Sequence, residues 1–216
     1  MEITRNTIAV TKPAVSNYVI AKRIMDITVS LTALIILLPL FAIVAAAIKL
    51  TSKGNAMYWQ ERVGLDGKII MFPKFRSMVT DADKLKDKII AGNDHKNSVT
   101  FKMKKDPRVT AVGRIIRKLS IDELPQLWLV LKGDMSLVGP RPALPREVKE
   151  YTAAQRERLT VVPGLTCIWQ VSGRGDIAFE QQVEMDKEYI EKRSILLDLK
   201  LLVLTVPAVL TGKGAY

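Results

Sequence analysis

The longest apolar run in the chain lies near its start. Residues 27–48 contain no charged side chain, and as a helix rising ~1.5 Å per residue this run is long enough to cross a hydrocarbon core of roughly 30 Å. Pro39 lies inside the run, where it removes a helical hydrogen bond and disfavours helical geometry at Leu38. The pattern predicts a membrane-associated segment over residues 22–51, either a helix–break–helix hairpin or one helix that tolerates the proline.

The charges beside this run do not give it a direction across a membrane. Lys22 and Arg23 precede it, and Lys49 and Lys53 follow it. The positive-inside bias is therefore balanced between the two ends. Such a distribution is compatible with both ends lying on the cytoplasmic side, as a hairpin would require.

A second apolar region lies near the end of the chain. Residues 195–210 are mostly apolar but are interrupted by Asp198, Lys200 and Pro207, which argues against a second membrane span. We expect a helix here. It either lies at the membrane interface or packs into the core of the domain.

The sequence between these regions predicts a mixed domain. Short apolar runs at Ile69–Phe72 and Val109–Val112 indicate strands or extended pieces, whereas Leu124–Leu131 and Phe179–Lys192 indicate helices. The run Gly139–Pro145 is rich in proline and is typical of a stiff loop. We therefore predict an α/β fold that is mostly helical and irregular.

These patterns divide the chain into three parts. Residues 1–21 have no apolar core followed by a small-residue cleavage site, so we expect a tail and not a removable signal. Residues 22–51 form the membrane segment. Residues 52–216 have the length of one ordinary domain, which we expect to stay in the cytoplasm.

The amino-acid composition limits the kinds of ligand and metal site that the chain can contain. The net charge of +11 fits an anionic membrane surface, a phosphorylated substrate or nucleic acid, since all three attract lysine and arginine. With one cysteine and one histidine, Cys167 and His95, the chain has no internal disulfide, no cysteine zinc cluster and no pair of histidine ligands. Any metal ion is therefore expected to bind oxygen atoms.

Two adjacent carboxylates precede a helical pattern in the run Ser120-Ile121-Asp122-Glu123-Leu124-Pro125. Ser120 and Glu123 have the spacing of a capping box, so the acids could serve only to start a helix. Pro125 favours a second interpretation, a helix that begins at the proline with both acids in the approach loop. Asp122 would there remain ionised as a nucleophile, and Glu123 would share Mg²⁺ with phosphate oxygens.

An anionic nucleophile attacks an anionic phosphate only where positive charge intervenes. Arg117 lies just before the acidic pair, and Arg141 lies between Pro140 and Pro142. The two prolines would hold the guanidinium steady for bidentate contact with phosphate. The alternative for each arginine is a solvated surface charge.

Two other functions fit parts of the sequence. Asp81 and Asp83 have the D-x-D form by which some glycosyltransferases bind metal, although their polar helical surroundings favour a solvated helix start. The basic stretch 102–108 would suit a nucleic-acid binder, but no aromatic and basic recognition motif accompanies it. We expect no nucleic-acid partner.

Five runs, taken together and in this order, resemble one family, the bacterial sugar transferases, also called monotopic polyprenyl-phosphate phosphoglycosyl transferases. The runs are Lys22-Arg23-Ile24-Met25-Asp26, Lys74-Phe75-Arg76-Ser77-Met78, residues 117–126, residues 132–142 and Pro163-Gly164-Leu165-Thr166. One departure is that Leu38-Pro39 stands where the family often has Ser-Pro. The resemblance implies a reentrant membrane helix and a cytoplasmic catalytic domain with interfacial helices, at the bacterial inner membrane.

The resemblance also implies roles for particular residues. Asp122 would be the nucleophile and Glu123 the second acid, both acting with Mg²⁺. The substrate-binding positions that it implies are Arg117, Arg141 with Pro140 and Pro142, Lys74, Arg76 and Asp198. The reaction would pass through an aspartyl phosphosugar.

The implied partners are a UDP-sugar, polyprenyl phosphate and an anionic membrane surface. A homodimer and contacts with downstream glycosyltransferases are further expectations. The ending Gly212-Lys213-Gly214-Ala215-Tyr216 is similar to members that transfer hexose 1-phosphates, of galactose or glucose type, for exopolysaccharide.

Overall fold

Helices form most of the fold, and two small sheets connect them. The computed structural model describes residues 17–82, 85, 106–212 and 214. Its α-helices are α1 (Asn17–Thr51), α2 (Ala111–Lys118), α3 (Leu127–Lys132), α4 (Pro145–Lys149), α5 (Ala153–Arg156), α6 (Ile168–Ser172), α7 (Phe179–Lys192) and α8 (Ile195–Thr211). Its strands are β1 (Met57–Val63), β2 (Ile69–Phe75), β3 (Ser136–Val138) and β4 (Gly164–Thr166). The prediction of a mostly helical fold with few strands is confirmed.

Strands β1 and β2 form an antiparallel hairpin, paired from Met57 with Phe75 to Val63 with Ile69. Because side chains alternate between the faces of a strand, the hairpin has two different surfaces. One face buries Ile70 and Phe72 in the main core. The same face carries polar side chains of both strands towards the cavity described below.

Strands β3 and β4 run parallel, with Ser136 opposite Gly164 and Val138 opposite Thr166. The backbones come so close that a Cβ atom at Gly139 would lie 2.6 Å from the Val162 carbonyl oxygen. A Cβ atom at Gly164 would overlap the backbone of Gly139. Glycine is required at both positions, and the contact fixes the start of the loop that follows β3.

Helix α1 is continuous from Asn17 to Thr51 and contains Pro39. A break at this proline and a continuous helix are both compatible with the sequence, and the structure has the continuous helix, since a helix can lose one hydrogen bond and continue. By length and composition α1 is able to cross a membrane. The reentrant path stays a prediction.

Both halves of α1 pack against the rest of the protein. Before the proline, Ala33, Leu34 and Leu37 contact the main core. After it, Val44 and Ile48 join a second cluster of buried side chains with Phe75 and Ile116. The opposite side of the helix leaves large apolar side chains exposed along its length, among them Ile24, Ile35, Ile36 and Ile43.

The predicted elements match the structure unevenly. Helix α7 has the predicted bounds Phe179–Lys192, and β2 begins at the predicted Ile69. The apolar run Val109–Val112 was predicted as a strand or an extended piece, and only Val109 and Thr110 are extended, since α2 begins at Ala111. Val109 makes one isolated bridge to Met78, and Thr110 caps α2 by accepting a hydrogen bond from the Gly113 amide. A threonine at a helix start outweighed the apolar run.

Candidate active site

A cavity of about 560 Å³ opens between the β1–β2 hairpin, residues 120–123 and the loop after β3. Its lining includes seven of the residues predicted from the sequence: Lys74, Arg76, Arg117, Asp122, Glu123, Arg141 and Pro142. Pro140 is buried behind the loop, where its carbonyl oxygen accepts a hydrogen bond of 2.9 Å from the Gly164 amide. Asp198 is not part of the lining.

The two acids lie in a 3-10 helix, Ile121–Gln126, which leads into α3. Ser120 precedes it in the left-handed conformation, with φ 53°, and its side chain makes no capping bond. The capping-box interpretation is therefore wrong. The α-helix starts at Leu127, two residues after the predicted start at Pro125, because the chain keeps 3-10 geometry to Gln126.

Asp122 is 8% exposed. Burial, and next the negative charge of Glu123, raise the pKa of Asp122 to about 7, while Arg117, Lys74 and Arg141 act in the opposite direction. The sequence interpretation expected a helix terminus to keep Asp122 ionised, and the burial of the group works against that. Additional positive charge in the cavity would favour the carboxylate form.

Glu123 is held by Arg141 in a two-point ion pair. Arg141 Nη1 donates to Glu123 Oε2 at 3.0 Å, and Nη2 donates to Oε1. Although burial alone would raise the pKa of Glu123, the adjacent Arg141 lowers it to about 2. The side chains are still 25% and 23% exposed, so both remain accessible from the cavity. Glu123 is therefore a carboxylate at neutral pH.

Two cations from the hairpin complete this side of the cavity. Burial, and next the charge of Arg62, lower the pKa of Lys74 to about 8. Burial, and next the charge of Arg141, lower the pKa of Arg62 to about 10. Arg62 Nη1 donates to the Pro142 carbonyl oxygen at 3.0 Å, and its buried Nε has no protein partner among the described residues.

Arg62 and Arg174 were not predicted as site residues. Arg174 has φ 54°, and its Nη2 donates to Ser120 Oγ at 2.7 Å. Its Nη1 is buried without a partner among the residues described. Arg174 lies between two glycines in the sequence. These glycines are the local signal for its unusual backbone conformation.

Arg76 lines the cavity and also stabilises the fold. Its Nη2 donates to the Ser52 carbonyl oxygen at 3.0 Å and to Ser52 Oγ at 2.8 Å, and Nη1 donates to the Lys53 carbonyl oxygen. These bonds fasten the end of α1 to β2. Arg76 Nε is buried without a partner among the described residues, so the prediction that Arg76 binds substrate stays a prediction.

The D-x-D pattern begins beside the cavity, whose lining includes Thr80 and Ala82. Asp81 is exposed and is not part of the cavity lining, whereas Asp83 lies outside the described residues. Most of the basic stretch 102–108 also lies outside them, and Arg108 pairs with Asp106 at 2.7 Å.

Comparison with known sequences matches residues 17–212 to the bacterial sugar transferase family. The chain belongs to that family. It is 44% identical over 200 residues to the galactosyl transferase CpsE of Streptococcus agalactiae, covering 92% of this chain and 44% of that protein. It is 39% identical over 200 residues to the exopolysaccharide production protein ExoY of Sinorhizobium fredii, covering 91% and 88%. It is 43% identical over 199 residues to an undecaprenyl-phosphate galactose phosphotransferase of Salmonella typhimurium, covering 90% and 41%.

Two consequences follow for this bacterial sugar transferase. The protein is a transferase enzyme, and the family resemblance read from its motifs is confirmed. The chain spans less than half the length of the streptococcal and Salmonella relatives but most of the Sinorhizobium protein. The matched region contains every described residue of the cavity lining except Gly214.

The transferase cavity fits Mg²⁺ that is shared with a phosphorylated substrate. Asp122 and Glu123 supply two carboxylates to one cavity, and Mg²⁺ in phosphate-handling sites binds one or two carboxylates together with substrate oxygens and water. Within the described ranges no three His, Cys, Asp or Glu side chains gather to hold a metal ion alone.

Proposed function

We propose that the protein transfers a hexose 1-phosphate from a UDP-sugar to undecaprenyl phosphate, releasing UMP, at the cytoplasmic face of the bacterial inner membrane. The product would begin the assembly of an exopolysaccharide or a related glycan. The observation that carries the proposal is the placement of Asp122 and Glu123 in one cavity with Lys74, Arg117 and Arg141. The names of the relatives support a lipid acceptor and a galactose-type sugar.

In the first step a carboxylate oxygen of Asp122 attacks the phosphorus that carries the sugar. The bond from this phosphorus to the bridging oxygen breaks, and UMP leaves with that oxygen. Asp122 then carries the sugar phosphate as an acyl phosphate. A carboxylate attacks a phosphate only where cations reduce their repulsion, which the lysine and arginines of the cavity supply.

In the second step a phosphate oxygen of undecaprenyl phosphate attacks the same phosphorus. The bond to Asp122 breaks and the free carboxylate returns, giving undecaprenyl diphosphate-sugar. Covalent catalysis divides a transfer between two large anions into two displacements at one nucleophile. Arg141 would orient Glu123 and the phosphate throughout, because its planar guanidinium bonds two oxygens at once.

Asp122 and Glu123 would hold Mg²⁺ with the diphosphate of the donor. When bound, Mg²⁺ would supply positive charge to the phosphate oxygens. Glu123 is suited to this role because its carboxylate is ionised and is fixed by Arg141.

The packing of α1 supports attachment to one side of a membrane. A 35-residue helix is roughly 52 Å long, yet it contacts the same domain near both of its ends, through Arg23 and through Ile48. A helix that left the domain to cross the bilayer would lose one of these contacts. We infer that the exposed apolar side of α1 and that of α8, including Val203 and Leu210, lie in the membrane, with both ends of α1 in the cytoplasm.

The test is a product assay on protein in lipid nanodiscs with Mg²⁺, undecaprenyl phosphate and either UDP-galactose or UDP-glucose. We expect lipid-dependent release of UMP. Without the lipid, mass spectrometry of the intact protein should detect one added hexose phosphate, absent from Asp122→Asn. Release of UDP would contradict the proposal and support the D-x-D glycosyltransferase instead.

A further inference from the structure

A buried polar network lies outside the cavity, where α1, α7 and α8 meet. Asp198 on α8 is fully buried. Its Oδ2 accepts from Lys22 Nζ at 2.7 Å and from the Tyr18 hydroxyl at 3.1 Å. Its Oδ1 accepts from the Tyr189 hydroxyl at 2.8 Å. The sequence interpretation placed Asp198 with substrate, but in the structure these three donors occupy its carboxylate.

Two links connect this network to β3. The Tyr189 hydroxyl also lies 3.0 Å from the Val138 carbonyl oxygen, so its proton is shared between that oxygen and Asp198. Asp26 of α1 accepts a hydrogen bond of 3.0 Å from the Leu137 amide. We call the five side chains Tyr18, Lys22, Asp26, Tyr189 and Asp198 the α1 clasp. The clasp holds two consecutive residues of β3 by their backbones.

The segment after β3 links the position of β3 to the position of Arg141 in the active site. Only Gly139 and Pro140 separate Val138 from Arg141, and Gly139 has no free space beside Val162 and Gly164. Proline on each side of Arg141 restricts the backbone further. A shift of β3 therefore moves Arg141 against its ion-pair partner Glu123.

We propose that the α1 clasp is a positioning device for the reaction proposed above: it sets the place of Arg141 relative to Glu123 and makes that geometry depend on the docking of α1. Buried ion pairs add little net stability, because desolvation offsets their attraction, but they can specify one arrangement. Misplacement of a reacting group by about 1 Å can lower a rate about a hundredfold. The clasp residues are positioning residues, since none of them lines the cavity.

The closing experiment compares Tyr189→Phe, which removes one hydroxyl, with Arg23→Gln as a matched control. Arg23 also attaches α1, donating to the Val130 and Leu131 carbonyl oxygens at 2.6 and 2.7 Å, but it makes no bond to β3. Both variants are made in the full chain and placed in nanodiscs. Asp26→Ala, which removes the acceptor of the Leu137 amide, serves as a second variant if Tyr189→Phe does not fold.

Two quantities are measured. Hydrogen exchange of the peptide spanning residues 136–143 should become about tenfold faster in Tyr189→Phe and should not change in Arg23→Gln. The kcat for UMP release should fall about tenfold in Tyr189→Phe, with the KM for undecaprenyl phosphate within twofold of wild type.

Three outcomes would overturn the proposal. These are unchanged exchange in the 136–143 peptide, equal effects in Tyr189→Phe and Arg23→Gln, or a rise in the KM for the lipid with kcat unchanged. The last result would assign the clasp to membrane attachment alone. Hydrogen exchange needs no turnover, so a wild-type protein that releases no UMP would refute the proposed function while the exchange result still decides the role of the clasp.

Discussion

Asp122 and Asp198 are both buried aspartates near cations, yet their surroundings differ in one respect. The carboxylate of Asp198 accepts three hydrogen bonds, from Lys22, Tyr18 and Tyr189. Among the residues that the structure describes, none donates a hydrogen bond to the carboxylate of Asp122, although Lys74, Arg117 and Arg141 act on it by charge. One aspartate is fully paired and the other faces a cavity.

The difference separates a structural carboxylate from a reactive one. A buried charge with good partners holds its neighbours in place, whereas a buried carboxylate without them has a raised pKa and gains most from a cationic ligand. Asp122 is therefore suited to react, and Asp198 is suited to fasten helices. The predictions below test this contrast, starting with the largest effect.

Asp122→Asn should abolish transfer. The amide keeps the shape of the carboxylate but cannot form the acyl phosphate, so we expect kcat to fall about 10⁴-fold or more. UMP release in nanodiscs measures this. The matched control is Asp66→Asn in the hairpin turn, where the φ of 51° suits asparagine and activity should stay at the wild-type level. Comparable losses in both variants would contradict the assignment.

Arg141→Lys should lower kcat/KM about a hundredfold. Lysine keeps the charge but cannot bond both oxygens of Glu123 in a plane. Steady-state kinetics of UMP release would show the loss. A change of less than threefold would mean that charge alone suffices and that the two-point ion pair is dispensable.

Asp198→Asn should lower stability more than any single change in the cavity. It leaves the Lys22 ammonium, 14% exposed, without a counter-charge, which should cost ~3 kcal/mol of the free energy of unfolding. Denaturant unfolding followed by tryptophan fluorescence measures the change. An unchanged unfolding midpoint would mean that the hydrogen bonds of Asp198 do not stabilise the protein.

Asp122→Asn should in contrast stabilise the protein above pH 7. Folding raises the pKa of Asp122 to about 7, so the folded state holds the proton more tightly than the unfolded chain does. The resulting stability is lost as the pH rises through 7. We expect the variant to unfold about 2–4 °C higher than wild type at pH 8. The gap should narrow as the pH falls below 7 and close towards pH 4, near the ordinary aspartate pKa of 3.8. If the difference in unfolding temperature between variant and wild type grew at low pH, folding would lower the pKa of Asp122 and not raise it.

The sequence predicted correctly those helices and site residues that depend on local patterns of side chains. The period of residues 179–192 gave a helix with the observed bounds, and the motifs gave seven of the residues that line the cavity. Thr110 was missed because its capping role competes with an apolar run beside it. The single helix across Pro39 depends on packing along both halves of α1, which periodicity alone does not weigh.

Long-range pairings could not be predicted from local patterns. The ion pair of Arg141 with Glu123 comes from a fold that brings positions 18 residues apart together, and the predicted phosphate contact of Arg141 stays a prediction. Lys22 and Asp198 are 176 residues apart, and each alone has the character of a surface or substrate-binding charge. Arg62 lies in the run Gln60-Glu61-Arg62-Val63-Gly64, which is only a weak local signal of a site.

The pairing of the first helix with the last also has a consequence for biosynthesis. Lys22 leaves the ribosome 176 residues before its partner Asp198, a delay of roughly 10–35 s at 5–20 residues per second. During that time Lys22 lacks its counter-charge, and charged groups resist entry into hydrocarbon. We therefore expect the charged end of α1 to stay at the lipid–water boundary until α8 is made, so that α1 reaches its final place only when both helices are present.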